Sequence, residues 1–309
     1  MRETGSSTPP AVEPRPTYTE LFDTGPVNVG PRPPRPRWRW PLGLFIATCL
    51  STWLSGGLAF AFWLMFTLTA HEFGHYIQAR RYGVAASLPY FIPLPLFSPW
   101  GTMGAVIVMP PRTPDRQSLF DIGATGPIAG LIPTLGLCAY GLHLSDIVAN
   151  DSVENTITLG DPLILQWMAD WILGPIPEGH TILIHPIGFA GWVGLLVTAL
   201  NLIPIGQFDG GHILYALLRE KAHTFSTALA NILTVLVLGA FIAHQWGGYE
   251  NYYWTWWLMV LLMRLIGTRH PPTLNDAKPL SLGRTVVGWL LLLFVPIGLT
   301  PTPLIPPSG

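Results

Sequence analysis

From Trp40 to Ala70 the chain runs 31 residues without a charged side chain. As one helix that run is roughly 46 Å long, against roughly 30 Å of hydrocarbon in a bilayer. Two crossings joined at Ser55-Gly56-Gly57 suit the length better. Composition agrees with lipid as the solvent. Only 11% of the 309 residues are charged and 50% are hydrophobic, whereas a soluble domain carries about 25% charged residues. Further apolar stretches at Phe120–Leu142, Pro186–Ile205, Phe225–Ala243, Tyr252–Leu265 and Val286–Leu299 bring the expectation to about seven crossings. The expected fold class is an all-α polytopic membrane protein. A net charge of −1 leaves no electrostatic footprint for a nucleic-acid partner. Cys49 and Cys138 both sit in apolar runs, so neither a disulfide framework nor a cysteine zinc site is on offer.

The placement of the charges gives the orientation. With the N-terminus in the cytosol, seven crossings put all 16 Lys and Arg residues on or beside the cytosolic side, as the positive-inside rule requires. The outer loop Ser145–His185 has no Lys or Arg but carries Asp146, Asp151, Glu154, Asp161, Asp170 and Glu178. Nine of the first 37 residues are proline. Such a segment buries too little apolar surface to fold, so residues 1–38 read as a disordered, Pro-rich cytosolic arm.

The second crossing ends in His71-Glu72-Phe73-Gly74-His75. On a helix, positions i and i+4 share a face, so both imidazoles can reach one metal ion. Glu72 lies on the adjacent flank, where a carboxylate can accept a proton from water. Charged groups this deep in an apolar segment cost about 2.5 kcal/mol or more each in lipid, so a bound cation is the economical reason to keep them. A third ligand should be another acid inside an apolar run. Asp121 and Asp209 are the candidates. Asp209 lies ten residues before Arg219, and His75 lies five before Arg80, so the two share a depth. Pro204 and Gly206 break the helix and free the chain to bring Asp209 in. A non-catalytic scaffold or transporter, using the same polar groups as an ion site, is the alternative.

These two patterns together resemble the site-2 protease family of intramembrane zinc metalloproteases. The family pairs H-E-x-x-H with N-x-x-P-x-x-x-x-D-G, and Asn201, Pro204, Asp209 and Gly210 complete the second pattern. Gly101-Thr-Met-Gly104, Gly126-Pro127-Ile-Ala-Gly130 and Gly191-Trp192 are similar to the bacterial and plastid-type branch without a PDZ domain. The resemblance implies one Zn2+ per chain on His71, His75 and Asp209, and Glu72 as catalytic base. It implies a membrane-protein substrate with a transmembrane segment. The cut is expected toward the cytosolic side, since the motif lies there, in a multi-pass protein of a bacterial cytoplasmic membrane. It also suggests that Asn201 holds the substrate carbonyl or the oxyanion. Residues 39–300 then read as the metalloprotease domain, with its core at about 57–218, and 301–309 as a tail. Oligomeric state is not readable.

Four prolines and two glycines between Leu88 and Met109 exclude a plain spanning helix. A re-entrant loop followed by a short strand, Ala105–Met109, is expected there. Val106 and Val108 on its edge would pair with an extended substrate. Gly123, Gly126 and Gly130 read as a small-residue packing stripe. His212 reads as a histidine that satisfies a nearby carbonyl. The remaining histidines, His270 and His223 among them, show no ligand spacing, and the aromatics from Trp246 to Trp257 read as an interfacial belt.

Overall fold

The structure, a computed structural model, describes residues 38–110, 113–153, 158–247 and 256–305. The N-terminal arm and Tyr249, Tyr252, Tyr253 and Trp254 of the aromatic belt lie outside them. The described chain is mostly helical, with eight α-helices and three two-stranded sheets. In order these are α1 (Arg39–Arg81), β1 (Tyr90–Pro93), β2 (Thr102–Val106), α2 (Arg116–His143), β3 (Asp146–Ala149), β4 (Thr158–Leu159), α3 (Leu163–Leu173), β5 (His180–Leu183), α4 (Pro186–Asn201), α5 (Asp209–Leu218), α6 (Lys221–Gly247), α7 (Trp257–Ile266), α8 (Leu282–Gly298) and β6 (Leu304–Ile305). Helices α1, α2 and α6 are long and apolar enough to cross a membrane, while α3, α4, α7 and α8 are shorter apolar helices of 10–17 residues. The coarse class therefore agrees with the sequence expectation.

Helix α1 is broken at Gly57, whose φ of 81° and ψ of 176° are outside the helical region. A side chain at that φ is strained, and glycine is not. The break falls where the Ser55-Gly56-Gly57 joint is expected. The strand before α2 differs from expectation. It starts at Thr102, not Ala105, because a turn closed by Gly101 N–H to Ser98 C=O (3.0 Å) delivers the chain into a hairpin with β1. Beyond Val106 only Val108 continues the pairing, with Ser87. The segment 145–185 carries secondary structure of its own among its described residues. It holds β3 paired with β5, β4 paired with β6, and α3.

Helix α2 is the axle of the bundle, packed against α1, α4 and α5. Its start is pinned by a capping box: Ser118 N–H donates to the Asp115 carboxylate, and Asp115 N–H donates to Ser118 Oγ. Such a cap stabilises a helix by about 1 kcal/mol. Next to it the Arg116 guanidinium is buried and donates to the Ala216 carbonyl at 3.0 and 2.6 Å. That bond satisfies an orphan carbonyl in the last turn of α5 and complements its dipole.

Contacts gather the loops at two ends. At one end, Arg284 forks onto Asp121, Tyr82 donates to the same carboxylate, Lys278 reaches Asp115, and Tyr215 donates to Asp276. At the other, β4 pairs with β6, the Trp192 indole N–H donates to Gly160 C=O at 2.8 Å, and Trp256 donates to Pro301 C=O. The described Lys and Arg side chains in these ties all belong to the first end.

Candidate metal centre

His71 and His75 follow one another by one turn near the end of α1, and both are buried. Asp209 comes from elsewhere in sequence. Helix α4 stops at Asn201, and residues 202–208 fold back through Gly206, whose φ is +55°. A Cβ on Gly210 would overlap the Leu202 carbonyl oxygen, so glycine is what lets the turn close this tightly. Ser226 Oγ ties the turn down by donating to Pro204 C=O at 2.8 Å. The turn ends with Phe208 as N-cap of α5 and Asp209 as its first helical residue. Asp209 is therefore free of capping duty. Its Oδ2 lies 3.1 Å from His71 Nε2 and its Oδ1 lies 3.2 Å from His75 Nε2.

The two histidine Nε2 atoms are themselves 3.1 Å apart. One donor atom from each of the three residues lies within 4.8 Å of the others, the one such group among the described residues. Ligands at about 2.0–2.1 Å from a tetrahedral ion stand about 3.3 Å apart, so the observed spacings fit zinc. The tautomer fits as well. His75 Nδ1 is 2.6 Å from the Ile122 carbonyl, so that nitrogen carries the proton and Nε2 turns its lone pair toward the cluster. A partner of this kind orients a metal-binding imidazole. Glu72, 5% exposed, is adjacent to His71 on the same helix.

Helix α2 forms the wall behind the histidines. A Cβ on Gly126 would overlap the His75 imidazole, and one on Gly130 would come within 3.0 Å of the His71 Cβ. Gly123 faces His212 at 2.9 Å in the same way. The stripe is a packing stripe, as the sequence reading has it, and two of its three partners are the metal-ligand candidates.

Of the other candidates, Asn201 reaches the cluster: its Nδ2 lies 3.5 Å from His71 Nε2. Asp121 is committed elsewhere, to the fork with Arg284 at 2.8 Å on each oxygen. Val106 and Val108 are exposed and outside the donor cluster, and Val108 spends its backbone N–H and C=O on Ser87. Among the described residues His212 bonds no carbonyl. Its Nδ1 faces His270 Nε2 at 2.6 Å, and Tyr215 stacks on the His270 ring at 4.7 Å. Sequence spacing carried no signal for His270, which comes 58 residues after His212 on a loop.

The sequence model of peptidase family M50 matches residues 59–243, which hold both histidines, Glu72, Asn201 and Asp209. The chain belongs to peptidase family M50. This is the site-2 protease family that the two motifs resemble. Among curated proteins, it is 32% identical over 257 residues to "Probable zinc metalloprotease EGY1, chloroplastic" of Arabidopsis thaliana, covering 82% of this chain and 44% of that one. The rice protein of the same name is 32% identical over 75% of this chain and 38% of its own length. "Probable zinc metalloprotease EGY2, chloroplastic" of Arabidopsis thaliana is 28% identical over 79% and 42%. The chain thus spans less than half the length of these relatives. No solved structure matches it.

Proposed function

We propose that this M50 member is an intramembrane zinc endopeptidase that hydrolyses a peptide bond in or near a transmembrane segment of a membrane protein. The carrying observation is the convergence of His71, His75 and Asp209 at zinc-like spacing from two separate elements. His71 Nε2, His75 Nε2 and the Asp209 carboxylate would hold one Zn2+. When bound, zinc supplies a Lewis acid and a water acidic enough to ionise near pH 7. Glu72 takes the proton of the attacking water on its carboxylate and returns it to the leaving amine. Asn201 Nδ2, at the edge of the donor cluster, donates to the substrate carbonyl. The edge of β2 at Val106 is offered to an extended substrate segment. Val108, with its backbone already paired, contributes only its exposed side chain.

The finer topology is part of the same proposal. Seven crossings follow if α1 counts twice across Gly57, if α4, α6 and α8 each cross beside α2, and if the apolar stretch Tyr252–Leu265, of which the ten-residue α7 is the described part, supplies the remaining one. The Asp121–Arg284 and Asp115–Lys278 ties then lie on the basic, cytosolic side with the N-terminus, and the β4–β6 pair lies outside. The setting is a bacterial cytoplasmic membrane or its plastid equivalent. The fragment Leu88–Met109 enters as a re-entrant hairpin.

Metal analysis of the purified chain, together with a cleavage assay on a single-span segment, tests the reading. One zinc per chain is expected, retained in Glu72→Gln, which no longer cleaves. Wild-type protein without zinc, or a Glu72→Gln variant that cleaves normally, returns the site to the scaffold or transporter reading.

A further inference from the structure

A cavity of about 610 Å³ lies at the end of the bundle away from the metal-ligand candidates. Its floor is apolar, with Leu142, Leu165, Ala169 and Trp192, and its walls carry Asp161, Asp170 and Glu178. Neither Lys nor Arg lines it, and the whole segment 145–185 contains none. An apolar floor under three carboxylates, with His180 the one basic side chain among the described lining residues, suits a ligand that is apolar at one end and cationic at the other. The volume falls in the ordinary range for ligand sites, about 300–1,000 Å³.

The position selects among such ligands. Helix α3 forms one wall, with Leu165 and Ala169 buried toward the cavity. Its opposite stripe, Leu163, Trp167 and Trp171, repeats every four residues and is exposed, Trp171 by 88%. The helix has 11 residues, about 16 Å and too short to cross a bilayer. An exposed tryptophan stripe on a short apolar helix suits the membrane–water interface. The cavity mouth therefore stands at the lipid surface. Along α2, Leu142 at the cavity is 20 residues from Ile122, the carbonyl partner of His75. That is about 30 Å of helix, the thickness of the hydrocarbon itself.

We propose that this cavity is a docking site for the basic outer flank of a substrate's transmembrane segment, held at the lipid surface by α3. The proposal rests on the protease reading and names the substrate class: a single span with Lys or Arg next to an apolar residue just beyond its outer end. A segment seated there reaches the metal centre at its other end. The cavity contributes binding and takes no part in the chemistry.

The test uses the full chain in lipid nanodiscs with a panel of single-span segments that differ only in the outer flank, Lys-Lys, Gln-Gln or Glu-Glu. Wild type should show a KM about three- to ten-fold lower for Lys-Lys than for Gln-Gln with kcat unchanged, as two or three partly exposed charge pairs provide. The difference should fade at 1 M salt. It should vanish in Asp161→Asn/Asp170→Asn/Glu178→Gln and reverse toward Glu-Glu in Asp170→Lys/Glu178→Lys. Equal KM across the flanks, or a preference that survives both variants, overturns the docking site while leaving the protease reading intact. Binding is read separately on Glu72→Gln by anisotropy of labelled Lys-Lys segments. If no segment is cleaved by wild type, the protease reading fails, and the anisotropy with and without the cavity substitutions still decides the site.

Discussion

Gly126 shows how a residue can matter by what it lacks. Its Cα hydrogen occupies space that a methyl group would take from the His75 imidazole. Gly126→Ala should therefore push α2 off α1 or rotate His75 away from Asp209. Overpacking of this kind costs about 1–3 kcal/mol, but the larger expected effect is on metal content. Zinc per chain should fall well below one, while Gly136→Ala, whose added Cβ meets nothing within 4 Å, should bind zinc normally. A normally loaded Gly126→Ala would show that α2 can yield here. The two acids once open as third ligand separate in the same assay. Asp209→Asn should lose zinc. Asp121→Asn should keep it and lower the melting temperature, since removing one partner of a charge-assisted fork costs roughly 1.5–3 kcal/mol.

Among elements, the β1–β2 hairpin is where sequence and structure differ most usefully. Prolines and glycines correctly excluded a spanning helix, but they could not date the turn to Gly101 or the start of β2 to Thr102. Those follow from Ser98, whose hydroxyl donates to Thr102 C=O and whose carbonyl receives Gly101 N–H, a pattern with no periodic signal. The hairpin also splits the two valines. Val108→Pro deletes an N–H that bonds Ser87 Oγ at 2.9 Å, so it should loosen the hairpin itself. Val106 faces Tyr90 in the β1–β2 register, so Val106→Pro probes substrate pairing once the hairpin is checked to be intact. It should cut cleavage at least ten-fold with zinc content held at one per chain, and unchanged cleavage in a folded variant would remove β2 from the substrate path. Helix α3 and the small β3–β5 and β4–β6 sheets escaped the sequence reading for a related reason. Eleven residues are too few to register as a crossing, and strands of two to four residues are specified by their partners, β5 and β6, rather than by their own alternation.

For the whole molecule, the candidate metal site was legible because its chemistry is written in residue types that lipid otherwise rejects. His71, Glu72, His75 and Asp209 stand out against apolar neighbours, and the break at Pro204 and Gly206 announces how the last one arrives. The knot around His270 was not legible. His270, Tyr215, His212 and Asp276 meet through tertiary packing alone. That knot makes the fold sensitive to acid. Burial lowers the His270 imidazole to about 3, with the neighbouring His212 adding to the effect. Burial pushes the Asp115 carboxyl up, but the Ser118 N–H and hydroxyl and the Lys278 ammonium outweigh it and hold the group below its usual range. Both folded-state values lie below their unfolded ones, about 6.5 for histidine and 3.9 for aspartate. In each case the unfolded chain binds the proton more readily, so stability is complete above the unfolded value and drains as pH falls. His270 acts first, between about pH 6.5 and 3, and Asp115 adds its share below about pH 4. The melting temperature in detergent should therefore drop from pH 7 to pH 4, with His270 accounting for up to about 3 kcal/mol. Exchange protection should be lost first in the segment that His270, Asn275 and Lys278 tie to α2, α5 and α6. His270→Gln cannot take up the proton, so its melting curve should be lower at pH 7 and flatter between pH 6.5 and 4. A variant with the wild-type slope would move the acid sensitivity away from this knot.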